Sequence, residues 1–145
     1  MKRIIFLIVL VLITCAAWYV YKEYNRKNKN LAEVESDIKI SAAALLQAFE
    51  KDSGSANKQY LGKILAVNGN IKSIEKEDSD ATVILGDADN MSSIRCSMDT
   101  TYAAKIASYK DGQQITIKGA CTGFNKDDLL GSDVILNRCV IQSKE

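Results

Sequence analysis

Residues 64–74 read ILAVNGNIKSI, and this stretch decides the fold. Its apolar side chains fall at alternate positions, which is the period of a half-buried β-strand. A glycine in the middle of such a strand is typical of a bulge or a sharp bend. The pattern therefore predicts a long strand that bends at Gly69, which would allow a small sheet to coil into a barrel. The shared face contains Leu65, Val67, Gly69, Ile71 and Ser73.

Four shorter apolar segments with strand character come later in the chain, separated by turn residues. A short helix is predicted over residues 100–109, between the third and fourth strands. Five strands with a helix at this point are in the order of an OB-fold barrel. We therefore expect an α+β domain that is mainly β. The four later strands are predicted at residues 81–85, 93–98, 114–121 and 133–141.

An N-terminal helix is predicted ahead of the barrel, over residues 38–58. Ser41 is a suitable N-cap, because its hydroxyl can accept a backbone N–H of the first turn. Leu45 and Phe49 lie four residues apart and so share one face of the helix. Residues 52–55 should break or kink it.

An uncharged apolar run at residues 4–21 comes directly after Lys2 and Arg3. Its 18 residues approach the roughly 20 that a helix needs to cross a bilayer. Trp18 and two tyrosines stand at its far end, where aromatic rings favour the membrane–water interface. The run therefore predicts one transmembrane helix.

This anchor divides the chain into three parts. We expect a single-pass membrane anchor at residues 1–24, a polar stalk at residues 25–37, and the OB-fold domain with its N-terminal helix at residues 38–145. Two alternatives for the N-terminus remain open. One is a cleaved secretory signal, and the other is a lipoprotein signal in which Cys15 carries the lipid.

Two opposing patterns bear on which side of the membrane the folded domain occupies. Residues 1–30 contain six Lys and Arg residues and one Glu, which gives +5 of a total net charge of +1, so residues 31–145 carry −4. The basic residues after the apolar run argue weakly for a cytoplasmic domain. However, a signal-like N-terminal helix normally exports the polypeptide behind it, and the domain cysteines suit an oxidising compartment. We expect the domain to lie outside the cytoplasm.

The segment YLGKILAVNGNI, from Tyr60 to Ile71, carries a family resemblance. A helix that ends in tyrosine, then Gly-Lys, then Val-x-Gly-x-Ile, resembles the tRNA-anticodon-like OB-fold family of bacterial exported or membrane-anchored proteins. Residues 115–119 (ITIKG) and 133–139 (DVILNRC) are similar too, and the resemblance covers about residues 38–142. It implies the barrel fold and supplies no catalytic residues.

The residues themselves argue against catalysis. The chain has no histidine, which removes the commonest general base and most zinc sites. The sequence shows no nucleophile–base pair, phosphate-binding loop or cofactor motif, so we expect no enzyme activity, cofactor or metal. Carboxylates cluster in the predicted turns. Oxygen-rich loops suit calcium, but solvated turn carboxylates are the ordinary explanation.

Three cysteines fall on predicted strands three, four and five: Cys96, Cys121 and Cys139. The fifth strand of an OB barrel runs between the third and fourth, so Cys139 could meet either neighbour. We expect a Cys121–Cys139 disulfide, with Cys96 buried. Three reduced core thiols are the alternative, which a cytosolic location would favour.

The face that nucleic-acid-binding OB folds use bears on the ligand. Such proteins need cationic grooves and stacking aromatic rings on strands two and three and the adjoining loops. Here those loops are acidic, and the candidate ligand-face residues are only Arg95, Phe124 and Lys126. A domain of net charge −4 also repels a polyanion. We therefore expect a module, anchored in the membrane through residues 4–21, that binds a protein, a peptide or an envelope component; single-stranded nucleic acid is the alternative.

Overall fold

The computed structural model describes residues 14–21, 31–78, 80–127, 129 and 131–142. The described domain contains six strands, three short α-helices and a 3₁₀ turn at Lys105–Ser108. The strands are β1 (Ile38–Ser41), β2 (Ile64–Glu77), β3 (Asp80–Leu85), β4 (Ser93–Met98), β5 (Gln114–Asn125) and β6 (Asp133–Ile141). The helices are α1 (Ala42–Lys51), α2 (Ser53–Tyr60) and α3 (Thr100–Ala103).

Strands β2 to β6 close into a five-stranded barrel. The order is β2-β3-β4-β6-β5, and the barrel closes because the first half of β2 pairs with β5 while its second half pairs with β3. The last strand, β6, runs parallel to β4 and antiparallel to β5. The predicted OB-fold order is confirmed, including the place of the last strand between its two neighbours and the helix α3 before β5.

The bend of β2 depends on a close contact with α1. A Cβ atom on Gly69 would lie 2.7 Å from the Cβ of Ala42, the first residue of α1. Only a residue without a side chain allows the helix to approach the strand so closely. The register with β3 then shifts between Ile71 and Ser73. The bend therefore extends from the predicted glycine to an irregularity just after it.

The two helices before the barrel join at Asp52. Ser41 caps α1 as predicted, since its hydroxyl accepts the N–H of Ala44 at 3.2 Å. Asp52 ends α1 and also caps α2, and hydrogen bonds from Ser55 hold the pKa of its carboxyl below the usual value. The predicted break in the helix is thus the point where α1 ends and α2 begins, and Asp52 caps both helices.

The prediction of a helix at residues Ile38–Ser41 was wrong. They were expected to start the helix, but they form β1, which pairs in parallel with Leu65–Asn68 of β2. The reason is tertiary, because β5 occupies one edge of that part of β2 and β1 satisfies the backbone groups of the other. Periodicity within four residues cannot reveal such a partner.

The folded domain also begins before the predicted boundary at residue 38. Leu31 is only 3% exposed, and the ammonium of Lys118 donates to the carbonyls of Ala32 at 3.2 Å and Val34 at 2.7 Å. The side chain of Asp37 accepts the N–H of Ile64 at 2.7 Å. Residues 31–37, assigned to the polar stalk, are therefore held on the barrel; residues 22–30 lie outside the described residues.

The predicted anchor lies mostly outside the described residues, which begin at residue 14. Residues 14–21 are helical and their side chains are exposed. Among the described residues, no helix is both long and apolar enough to span a bilayer. The transmembrane helix at residues 4–21 stays a prediction.

We expect Gly69→Ala to destabilise the domain by about 1–3 kcal/mol, because the new methyl group would overpack the contact with Ala42. Urea unfolding measures this loss. Gly123→Ala is the matched control, since its Cβ would lie 4.0 Å from the nearest atom of Ile135, an ordinary contact. Equal unfolding midpoints for the two variants would show that Ala42 does not constrain the bend.

We expect Lys118→Met to loosen residues 31–37, because the carbonyls of Ala32 and Val34 would lose their donor. A hydrogen bond to a charged group contributes about 1.5–3 kcal/mol, so amide exchange in this segment should accelerate roughly tenfold or more. Lys39→Met is the control, since that side chain is exposed. Unchanged exchange in Lys118→Met would mean that other contacts hold the segment.

Candidate functional site

Arg95 lies on the outer face of the barrel, in a row that crosses four strands. The registers place Ser73, Ile84, Arg95 and Ile135 side by side on β2, β3, β4 and β6. The guanidinium of Arg95 is 2.8 Å from a carboxylate oxygen of Glu75, so the two charges form an ion pair. The cation that was predicted for the ligand face is therefore already partnered within the domain.

A cavity of about 360 Å³ lies beside this ion pair. Its lining includes the carboxylates of Glu75, Glu77 and Asp80 but only one cation among the described residues, Arg95. The ammonium of Lys72, a second cation on β2–β4, donates a hydrogen bond to the carbonyl of Asn90. The face that OB folds offer to nucleic acid therefore carries an excess of negative charge, which disfavours a phosphodiester backbone.

Phe124 and Lys126 do not join Arg95 in one site. The ring of Phe124 stacks on Phe49 of α1, with centroids 4.8 Å apart and planes 25° from parallel. Its register partner on β6 is Val134, which is fully buried, so Phe124 belongs to the inner side of the sheet. Lys126 is exposed just beyond the end of β5. The three predicted ligand-face residues are therefore dispersed, and Phe124 serves the core.

A second concave surface lies at the bend of β2, and we call it the amide groove. It has a volume of about 510 Å³ and lies between α1, β2, the start of β5 and the loop after β3. Five side-chain amides line it, and the described lining residues include no Lys or Arg. The amides belong to Gln47, Asn68, Asn70, Asn90 and Gln114.

Part of the amide groove is fixed by hydrogen bonds between strands. Gln114 donates to the Oδ1 of Asn68 at 3.0 Å, and Asn68 donates to the hydroxyl of Thr116 at 2.9 Å. At the opposite end, the Oδ1 of Asn90 accepts the N–H of Ser92 at 3.0 Å. Each side-chain amide has two N–H donors and a carbonyl acceptor, so these contacts leave further bonding capacity on one fixed surface.

An exposed apolar tip adjoins the groove at Asn90. Met91 and Leu129 expose 62% and 84% of their surfaces, on the loops that come after β3 and β5. The two loops touch, because Gly131 approaches the backbone of Met91 so closely that a Cβ would not fit. The N–H of Ser93 also donates to the carbonyl of Ser132 at 3.0 Å. The tip thus presents apolar side chains from two loops that contact and hydrogen-bond each other.

The described cysteines are all free thiols, and Cys96, Cys121 and Cys139 are buried. The expected Cys121–Cys139 disulfide stays a prediction. Cys121 lies opposite Leu136, and the thiol of Cys139 donates to the carbonyl of Leu136 at 3.4 Å. The neighbouring thiol of Cys96 and burial raise the pKa of Cys139 well above its usual value, while burial raises the pKa of Cys121.

No metal site was expected from the sequence, and the amide groove was not predicted from it. Within the described parts of the chain, no three His, Cys, Asp or Glu side chains converge on a position where a metal ion could bind. The amide groove escaped prediction because its side chains come from α1, β2, β5 and the β3–β4 loop. Asn68 and Asn70, the polar residues on either side of Gly69 in β2, were the local signal.

Known proteins resemble the chain in fold. No curated protein sequence matches it. Among solved structures, a lipoprotein of Klebsiella pneumoniae subsp. pneumoniae MGH 78578, named as a proposed nucleic acid-binding protein, is 18% identical with a TM-score of 0.57; the match covers 82% of this chain and 100% of that one. Identity at this level supports the fold alone.

Two further structures are less similar. One is a proposed aspartyl-tRNA synthetase from Leishmania major Friedlin, 7% identical with a TM-score of 0.48, where the match covers 81% of this chain and 22% of that chain. The other is OBody AM3L09 bound to hen egg-white lysozyme, 13% identical with a TM-score of 0.44, over 60% of this chain and 88% of that chain.

The family is established by sequence over nearly the whole chain. The profile of the tRNA_anti-like family matches residues 1–140, which include almost all of the barrel. This agrees with the resemblance carried by the segment from Tyr60 to Ile71. The protein is therefore a member of the tRNA_anti-like family.

Proposed function

We propose that this protein is a membrane-associated OB-fold binding module that holds a peptide segment of a protein partner in the amide groove. The observation that carries the proposal is the lining of the groove, where five side-chain amides stand without a Lys or Arg among the described lining residues. Amides offer donors and acceptors together, which matches the alternating N–H and C=O groups of a peptide backbone.

The size and surroundings of the groove support a peptide. A volume of about 510 Å³ lies within the range of about 300–1,000 Å³ that is usual for ligand pockets. Met91 and Leu129 beside it can bury apolar side chains of the partner, as the centres of protein interfaces do. Glu50 and Asp87 are the charged residues in the described groove lining, so a neutral or basic peptide suits it best.

Membrane association is supported by the exposed N-terminal helix. Trp18, Tyr19, Val20 and Tyr21 are each more than 60% exposed, so the described domain leaves these four side chains accessible. Lipid would accommodate them, with the aromatic rings at the interface. The Klebsiella structure is named a lipoprotein, which agrees with attachment to a membrane. We place the domain outside the cytoplasm; anchor, cleaved signal and Cys15 lipidation remain alternatives.

We propose a binding role without catalysis. The chain has no histidine, and the groove combines amides with two carboxylates that lie among neutral groups. Its polar side chains are suited to recognising a ligand rather than to activating a nucleophile.

Single-stranded nucleic acid is the second candidate. It is favoured by the structural likeness to a lipoprotein named as a proposed nucleic acid-binding protein. Against it stand the Arg95–Glu75 ion pair and the carboxylates of the cavity beside it. The inward stacking of Phe124 also removes the ring that could have received a base.

A photo-crosslinking amino acid at Gln47 tests the peptide proposal. Gln47 is exposed in the groove, and the same substitution at Gln59, exposed on α2 outside the groove lining, is the control. In native membranes we expect an adduct from position 47 that proteases degrade and nucleases leave intact, and a much lower yield of adduct from position 59. Equal yields at both positions, or an adduct that only nucleases degrade, would refute the proposal.

Titration with single-stranded DNA at low salt tests the second candidate. We expect no saturable binding, because the excess carboxylates repel phosphate and the guanidinium of Arg95 is already paired. The nucleic-acid function would instead be supported by affinity that falls steeply with salt and is lost in Arg95→Ala. The control for general charge is Lys110→Ala, on an exposed side chain away from that face.

A further inference from the structure

A third cavity lies on the outer face of the barrel, under the segment that precedes β1, and we call it the N-terminal cavity. Its volume is about 610 Å³, within the range of about 300–1,000 Å³ that is usual for ligand pockets. Residues 32–36 form one wall, and side chains of β1, α3, β5 and β6 form the rest. The amide groove shares none of these lining residues.

Two lysines of the cavity stand in one row across the sheet. The registers place Lys39, Ala66 and Lys118 side by side on β1, β2 and β5, so all three point to the same face. Since neighbouring strands are about 4.8 Å apart, the backbones of the two lysines are separated by about 10 Å. Only the methyl group of Ala66 stands between them in this row, and both lysines line the cavity. Their long side chains can therefore approach one anionic group from two sides.

Lys118 contributes a buried positive charge. It is 7% exposed, and its ammonium donates to the carbonyls of Ala32 at 3.2 Å and Val34 at 2.7 Å. No carboxylate among the described residues forms an ion pair with it. An ammonium has three N–H donors, so one remains for a ligand. Because a buried charge is costly without a counter-ion, this end of the cavity favours an anion.

The segment over the cavity contributes the opposite charge. Glu33 and Glu35 are exposed and line the wall that residues 32–36 form. Together with Lys39 and Lys118 they are the charged residues of the described lining, so the charges sum to zero but lie on different elements. A simple anion would meet repulsion from the carboxylates, and a simple cation would meet repulsion from the ammonium groups. A ligand that carries both charges, separated, suits this lining best.

Neutral polar groups complete the cavity. The ring of Tyr102 lies 4.7 Å from the ammonium of Lys105, a cation–π contact that steadies this wall. Ser36 and Gln142 add a hydroxyl and an amide to the lining. These side chains supply hydrogen-bond donors of the kind that the several acceptor oxygens of a phosphate ester can use.

We propose that the N-terminal cavity binds the phosphoethanolamine headgroup of a membrane lipid. Lys39 and Lys118 hold the phosphate, and Glu33 and Glu35 hold the ammonium. The choice of a lipid rests on the proposed membrane association, because only residues 22–31 separate the cavity wall from the predicted anchor, which places headgroups within reach. A free phosphoethanolamine ester has the same chemistry, so the test separates the two sources.

The first measurement is a calorimetric titration of the full chain, purified in an uncharged detergent, with two soluble headgroup esters. Glycerophosphoethanolamine carries a phosphate and an ammonium, whereas glycerophosphoglycerol carries the phosphate alone. We expect the ethanolamine ester to bind roughly fivefold tighter or more, because two carboxylates attract its ammonium. Replacing both Glu33→Gln and Glu35→Gln should abolish this preference. Asp89→Asn, on an exposed side chain outside the cavity lining, should preserve it.

The phosphate contact is tested by Lys39→Met, which should weaken the binding of both esters to a similar degree. Lys39 is chosen because its side chain is exposed, whereas replacement of Lys118 would also loosen the cavity wall. Lys110→Met, exposed and outside the lining, is the control. Equal affinity of the unaltered chain for the two esters, or a preference that survives the loss of both carboxylates, would overturn the proposal.

The second measurement identifies the source of the headgroup. The full chain is incorporated into nanodiscs with equal amounts of phosphatidylethanolamine and phosphatidylglycerol, and native mass spectrometry identifies the lipids that it retains in detergent. We expect phosphatidylethanolamine to be retained preferentially by the unaltered chain and not by the variant without Glu33 and Glu35. Binding of the soluble ester without this preference would assign the cavity to a free ester and overturn the lipid proposal.

The outcomes separate this proposal from the proposed function. A chain that does not enter nanodiscs would refute membrane association, whereas the titration in detergent still decides whether the cavity recognises phosphoethanolamine. The peptide proposal concerns the amide groove, so crosslinking at Gln47 decides it independently.

Discussion

The bend of β2 is the constraint on which the rest of the structure depends. One strand must pair with β5 along its first half and with β3 along its second, because otherwise the barrel stays open. Gly69 permits the bend and brings α1 against the strand at Ala42. The amide groove lies at this junction, and the acidic outer face lies on the second half of the same strand. Both candidate surfaces therefore follow from one backbone feature.

Most of the barrel could be predicted because its signals are local. Alternation located β3, β4 and β6 to within a residue, and Ser41 identified the start of α1. The position of β1 could not be predicted, because its partner lies in β2, well ahead in the sequence, and four residues show no reliable period. The anchoring of residues 31–37 depends on Lys118, which donates to backbone carbonyls of this segment. Every residue has a backbone carbonyl, so the sequence gives no sign of which ones Lys118 contacts.

The candidate sites were harder to predict because irregularities reverse the faces of strands. The register of β5 shifts between Cys121 and Gly123, so Phe124 turns inward where strict alternation would place it outside. The left-handed Arg138 does the same for Cys139. Arg95 was predicted for the ligand face, but its partner Glu75 comes from another strand and had no sequence signal.

The early start of the folded domain limits how far it can reach. Since the chain is held on the barrel from Leu31, only the residues between 21 and 31 separate the domain from the proposed membrane segment. Even fully extended, such a length spans at most roughly 35 Å. An anchor embedded through residues 4–21 would confine the barrel to a thin layer next to the lipid headgroups, where it would meet only those molecules that enter this layer.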